Sequence, residues 1–144
     1  MAIPEDCEYE VSVQTGDVPK AQTGSRVSLK LVSCSGKNFT VNDLLEWLQS
    51  PRHTPYQRGQ LDVFKGNALC LDPCAMIITN HAGPDKVYSG WYLEYVDVKT
   101  GDSTSPVHFP VYRWLANDVP PNALNATVNN CNCSDKLKSA LSAE

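Results

Sequence analysis

Apolar residues in this chain recur at every second position in several short stretches. That period fits a strand with one buried face and no other common element. In residues 7–15 (CEYEVSVQT), Tyr9, Val11 and Val13 fall on one side and Glu8, Glu10, Ser12 and Gln14 on the other. Residues 25–32 (SRVSLKLV) repeat the pattern, with Val27, Leu29 and Leu31 against Arg26, Ser28 and Lys30. Gly16-Asp17 and Pro19 separate the two, and Ser33 to Asn38 reads as a turn. Residues 60–64 (QLDVF) and 74–79 (CAMIIT) read as strands around a turn near Gly66-Asn67, and 91–98 (WYLEYVDV) as an aromatic-rich strand. Residues 107–115 (VHFPVYRWL) contain Pro110, which cannot donate to a ladder and suits an edge strand or a bend. The one short helical candidate is 43–49 (DLLEWLQ), with Asp43 as its cap and Leu44, Leu45, Trp47 and Leu48 on its apolar side. Strands at this spacing with turns between them predict an all-β sandwich or barrel.

Length and composition narrow this further. The 144 residues suit one domain with a tail, and 42% apolar with 19% charged residues is a globular balance. Twelve Lys and Arg against sixteen Asp and Glu argue against a nucleic-acid partner, which would need a basic face. No apolar run of about 18 residues exists to span a membrane. The six cysteines are Cys7, Cys34, Cys70, Cys74, Cys131 and Cys133. An even count in a small, acidic, proline-rich chain predicts disulfides and an oxidising compartment. Zinc is the rival, but Cys70/Cys74 and Cys131/Cys133 lack knuckle spacing and no histidine stands at such spacing. Three N-x-[ST] triplets, at Asn38, Asn125 and Asn132, fit glycosylation in the secretory pathway. The first six residues lack the basic start and apolar core of a signal peptide, so the expectation is a mature segment of an extracellular, apoplastic or endoplasmic-reticulum protein.

Beyond Pro120 the pattern changes. Asn122 to Asn132 is Asn-rich, and residues 134–141 suit a short capped helix or a frayed end. Enzyme signatures are weak. His53, His81 and His108 match no zinc-protease motif, and no nucleophile elbow is present. His53, Tyr56 and Asp62 form the one conceivable acid–base trio, since such groups need only converge in space.

Five segments in order carry a resemblance to a known family. They are Tyr9–Gly16, Val27–Leu31, Arg58–Phe64 with its Arg58-Gly59 pair and Asp62, Gly90–Val96 around Trp91, and Phe109–Leu115 with Arg113-Trp114. Together they resemble a PLAT domain, the sandwich also found in lipoxygenases and some lipases. The resemblance covers residues 7–118 and leaves 119–144 as a tail carrying Cys131 and Cys133. It implies an antiparallel eight-stranded β-sandwich with no catalytic residues. The nearest group is the stand-alone secreted plant stress proteins, with a cysteine before the first strand, a Cys-x3-Cys-Ala-Met segment (here Cys70 to Met76) and a C-terminal cysteine. Cys34 and Cys133 depart from that pattern and are candidates to pair with each other. Cys70–Cys74, closing a short loop, and Cys7 with a tail cysteine are the other expected bridges.

The family implies lipid or membrane contact, protein docking and a part in abiotic stress. Many members bind Ca2+ at the loop tips, which takes about six to eight oxygen ligands. The matching positions here are Gly24, Ser89-Gly90 and Thr54-Pro55-Tyr56-Gln57, all without a carboxylate. Asp17 and Asp85 are the remaining Ca2+ candidates, and no cofactor is expected otherwise. Val18-Pro19-Lys20 stands where membrane-binding relatives carry exposed tryptophans. Trp47, Tyr56, Val87 and Tyr88, with Lys20 and Lys86, form the candidate lipid or partner patch. Arg58 with Asp62, and Arg113 beside Trp114, read as structural pairs tying loops to strands. The expected function is a non-catalytic secreted stress-response module that binds lipid surfaces or protein partners. A small enzyme grafted on the scaffold and a protein-recognition factor without lipid affinity are the alternatives.

Overall fold

A computed structural model describes residues 6–48, 54–82, 90–101 and 105–133. These form two four-stranded antiparallel sheets packed face to face. One sheet has the order β4-β1-β6-β7, with β1 at Asp6–Thr15, β4 at Leu61–Leu69, β6 at Trp91–Thr100 and β7 at Val107–Leu115. The other has the order β3-β2-β5-β8, with β2 at Val27–Ser33, β3 at Asn38–Val41, β5 at Pro73–Asn80 and β8 at Asn125–Asn129. The alternation of β1 is the cause of its placement. Tyr9, Val11 and Val13 are fully buried between the sheets, and the intervening polar residues face out. Leu29, Leu31, Met76 and Ile78 from the second sheet meet Phe64, Trp91, Val96 and Phe109 from the first in one core. β7 is an edge strand, and its ladder with β6 shifts register beside the Tyr95–Pro110 pair. That is where a residue without an N–H is tolerated.

Two expectations are corrected here, and one strand is added. The domain does not end at residue 118, because β8 completes the second sheet by pairing with β5 from Ala75–Asn129 to Thr79–Asn125. The Ser33–Asn38 turn is present and leads directly into β3, a strand the alternation does not mark. The turn near Gly66-Asn67 does not form, because β4 runs unbroken through it against β1. Gly66 is there for another reason. The Trp47 ring lies over it, and a Cβ at that position would come within 2.2 Å of the indole. Trp47 belongs to a single 3-10 turn, Leu44–Trp47, capped by the Asp43 carboxylate accepting from the Leu45 N–H at 3.0 Å. The possible helix at 134–141 lies outside the described residues.

All six cysteines meet at one end of the sandwich. Cys7 bonds Cys70, Cys34 bonds Cys133 and Cys74 bonds Cys131. The Cys34–Cys133 pair is the one the departures from the family pattern pointed to. The expected Cys70–Cys74 bridge is replaced, because residues 70–72 carry the chain from β4 in one sheet to β5 in the other. Cys7 goes to Cys70 rather than to the tail, because β1 lies beside β4 with Cys7 opposite Ala68. Tyr9 reinforces this crossing. Its hydroxyl donates to the Leu69 carbonyl at 2.6 Å and accepts from the Leu71 N–H at 3.0 Å. The disulfides fit an oxidising secretory or extracellular environment. Among the described residues no helix is long and apolar enough to cross a membrane.

Candidate functional site

The end opposite the cysteines gathers the loops 16–26, 54–60 and 116–124, and most candidate residues lie there. Its framework is built on Asp62. This side chain is buried on β4, and its carboxylate accepts from the Tyr56 N–H and from Gln60 Nε2, both at 2.8 Å. Nearby, Gly59 takes a φ of 71°, a left-handed conformation that glycine adopts without strain. Its N–H donates to the Gly16 carbonyl at 3.0 Å, which joins this loop to the first one. Arg58 completes the join, with Nε donating to Asp17 Oδ1 at 2.9 Å. The expected Arg58–Asp62 pair is therefore divided. Asp62 points inward to backbone and amide donors, while Arg58 reaches outward across the loop to Asp17.

Tyr56 is also corrected. The sequence offers it both for the surface patch and for acid–base work, but it is 2% exposed and packs against Phe64 and Trp91. Burial pushes its phenol far above the ordinary range, with Asp43 and Asp62 adding to the shift. Tyr56 and Asp62 are both buried, and His53 lies outside the described residues. His81 serves the core edge. Its N–H donates to the Arg26 carbonyl and its Nε2 lies 2.8 Å from Ser28 Oγ.

Trp91 and Arg113 both make contacts within the fold. The Trp91 indole donates to Thr15 Oγ1 at 2.9 Å inside the core. Arg113 Nη2 donates to the Asn125 carbonyl at 2.7 Å, linking β7 of one sheet to β8 of the other. Trp47 is half-buried, stacked near Tyr9 and tilted against Phe39, so the solvent-facing apolar residue of that turn is Leu45, 44% exposed. The sequence pattern places Leu45 on the buried side of a full helix. A single 3-10 turn has a narrower inner face and leaves it out.

Among the described residues, the positions matched to the family's Ca2+ sites bring no carboxylates together. Asp17 is engaged by Arg58. A Cβ at Gly90 would stand 2.6 Å from the Ala116 Cβ, so that position has no room for a carboxylate side chain. Gly24 faces open space, with no atom within 4 Å of where a Cβ would stand, and carries no ligand of its own. What the loop end presents instead is shallow and mostly apolar. Pro19, Lys20, Gly90, Trp114, Asp118 and Val119 surround one depression of about 200 Å³, which thus carries one carboxylate beside its lysine. Leu45, Thr23, Gly24 and Pro55 surround a second of about 230 Å³. Asp85, Lys86, Val87 and Tyr88 lie outside the described residues. Asn38, Asn125 and Asn132, the asparagines of the three triplets, are exposed. Sequence reading missed a second apolar surface, Leu61 and Val63 on the outer side of edge strand β4. Their alternation with buried Asp62 and Phe64 was its signal.

Comparison with known proteins agrees with this architecture. The chain is 35% identical over 133 residues to PLAT domain-containing protein 1 of Arabidopsis thaliana, covering 88% of this chain and 72% of that protein. It is 37% identical over 103 residues to PLAT domain-containing protein 3 of the same plant, covering 66% of this chain and 97% of that protein. A coral 8R-lipoxygenase has the same fold at a TM-score of 0.63 and 16% identity, over 85% of this chain and 16% of that one. The shared part is thus a small fraction of the lipoxygenase, and the likeness concerns the sandwich alone. The family description "PLAT/LH2 domain" matches residues 9–124, from the Tyr9 anchor to the edge of β8. The chain belongs to the PLAT/LH2 domain family.

Proposed function

We propose that this chain is a non-catalytic docking module of the secretory or extracellular space that meets lipid surfaces through its loop end, without Ca2+. PLAT domains mediate lipid or protein interactions. The observation that carries the lipid reading is the arrangement of exposed Leu45, Pro19 and Lys20 with half-buried Trp114 around two shallow depressions at one end of a rigid sandwich. Apolar tips beside a lysine suit the boundary between headgroups and acyl chains. The coral relative is described as activated by calcium through its C2-like domain. Among the described residues, Gly24, the crowded Gly90 and the Arg58-bound Asp17 bring no carboxylates together, which supports contact independent of the ion. The stress-response setting comes from the resemblance to the stand-alone plant group.

A second reading rests on β4. It is an edge strand with Leu61 and Val63 exposed, a surface that suits a protein partner. Co-sedimentation with phosphatidylcholine vesicles, with and without phosphatidylserine, separates the two. The lipid reading expects Leu45→Asp and Lys20→Glu to lower the bound fraction severalfold and Leu61→Ser/Val63→Ser to leave it unchanged. Binding that ignores the first two variants and is lost in the third overturns the loop-end assignment.

A further inference from the structure

The two bridges that hold the last strand are neighbours. The Sγ atoms of Cys34, Cys74, Cys131 and Cys133 all lie within 4.8 Å of one another. Cys34 Sγ stands 3.7 Å from Cys74 Sγ, although these belong to different disulfides. We propose that, when both bridges are reduced, these four cysteines form a tetrathiolate site for Zn2+. This is independent of the docking reading and concerns the opposite end of the molecule.

Geometry carries the inference. A tetrahedral Zn2+ with Zn–S bonds of about 2.3 Å holds its sulfurs about 3.8 Å apart. The Cys34–Cys74 spacing already has that value. The remaining sulfurs are close enough for side-chain rotation to complete the tetrahedron, since the bonded pairs have Cα separations of only 5.7 and 4.9 Å. Hydrogen bonds also place three of these four cysteines. Cys74 lies in β5, and its carbonyl accepts from the Asn130 N–H at 2.8 Å. The Cys131 N–H donates to Asn129 Oδ1 at 2.9 Å. Cys34 sits in the β2–β3 turn, closed by the Gly36 N–H on the Ser33 carbonyl at 3.0 Å. Sequence spacing argued against zinc because it tests only adjacent pairs, and here the ligands come from three separate segments.

Access and charge are compatible with this. A groove of about 700 Å³ opens beside Cys34 and Cys74 and is lined by Lys37, Ser33, Ser35 and Asp72. Lys37 partly offsets the double negative charge of a Zn2+ tetrathiolate, and Asp72 opposes it. Cys7 and Cys70 border the same groove but are not members of the cluster. The chemistry balances with a dithiol reductant. Two dithiols supply four electrons and four protons, open both bridges to four thiols and leave as their own disulfides. Zn2+ then displaces the four thiol protons. The metal replaces both bridges as the staple of β8 and its tail.

The test uses the full chain, reduced with a phosphine under anaerobic conditions and titrated with Co2+ and then Zn2+. The expected result is one Co2+ per chain with the visible spectrum of a four-thiolate tetrahedral site, bleached by one Zn2+. Cys7→Ser/Cys70→Ser is expected to keep that spectrum, and Cys34→Ser or Cys131→Ser to lose it. Zn2+ is also expected to restore hydrogen-exchange protection to residues 125–129 of the reduced chain. An octahedral spectrum, binding that requires Cys7 or Cys70, or a reduced chain that stays unfolded and metal-free overturns the proposal.

Discussion

At the scale of single residues, the loop end is organised by buried polar groups rather than exposed ones. Asp62 is the clearest case. Its two acceptors satisfy the Tyr56 N–H and the Gln60 amide inside the fold. Asp62→Ala strands that buried N–H, a loss of about 1–3 kcal/mol that urea unfolding will read. Tyr56 shows the reverse. Its hydroxyl is buried with no hydrogen-bond partner among the described residues, so Tyr56→Phe removes a desolvated group and is expected to raise the melting temperature at neutral pH. The same residue sets a pH dependence. An unfolded tyrosine ionises near pH 10, whereas burial keeps the folded Tyr56 protonated above that. The unfolded chain therefore loses a proton that the folded chain retains. Stability is full below about pH 10 and falls as pH rises beyond it. Tyr9 shifts in the same direction, chiefly by burial, so Tyr56→Phe is expected to flatten the alkaline fall in melting temperature without erasing it.

At the scale of elements, strands with strict alternation were legible and the weakly marked ones were not. β1, β2, β6 and β7 lie within two residues of where their patterns place them, because one face of each is apolar and buried. β3 has four residues and follows a turn, too short for a period to show. β8 reads NATVN, with only Ala126 and Val128 turned to the sheet's inner side, so an asparagine-rich tail concealed a strand. The disulfide pairing was hidden for a different reason. Strand ends that meet in space decide it, and the crossing between sheets at residues 70–72 sets Cys70 at the end of β4 and Cys74 in the other sheet. These bridges close long loops, with Cys74 and Cys131 57 residues apart. Cys74→Ser/Cys131→Ser is expected to cost roughly 2–5 kcal/mol in unfolding free energy, with hydrogen exchange rising first in β8.

For the whole molecule, the two ends divide the work. One end carries all six cysteines and fixes the sandwich, and the other carries loops whose apolar tips face solvent. Part of that division was visible in the sequence. The absence of carboxylates at Gly24, Gly90 and residues 54–57 already argued against an ion-dependent switch, and the structure adds that Gly90 has no room to regain a side chain. What the sequence concealed was which apolar residues stay outside. Trp47 and Tyr56 looked available and are packed, while Leu45 looked packed and is available. A narrow 3-10 turn and a left-handed φ of 62° at Tyr56 are responsible, and neither leaves a periodic trace. The most direct test is vesicle co-sedimentation of the unmodified chain in EDTA and again in excess Ca2+. The account predicts the same bound fraction in both. A protein that stays in the supernatant in both conditions, or pellets only with Ca2+, contradicts it.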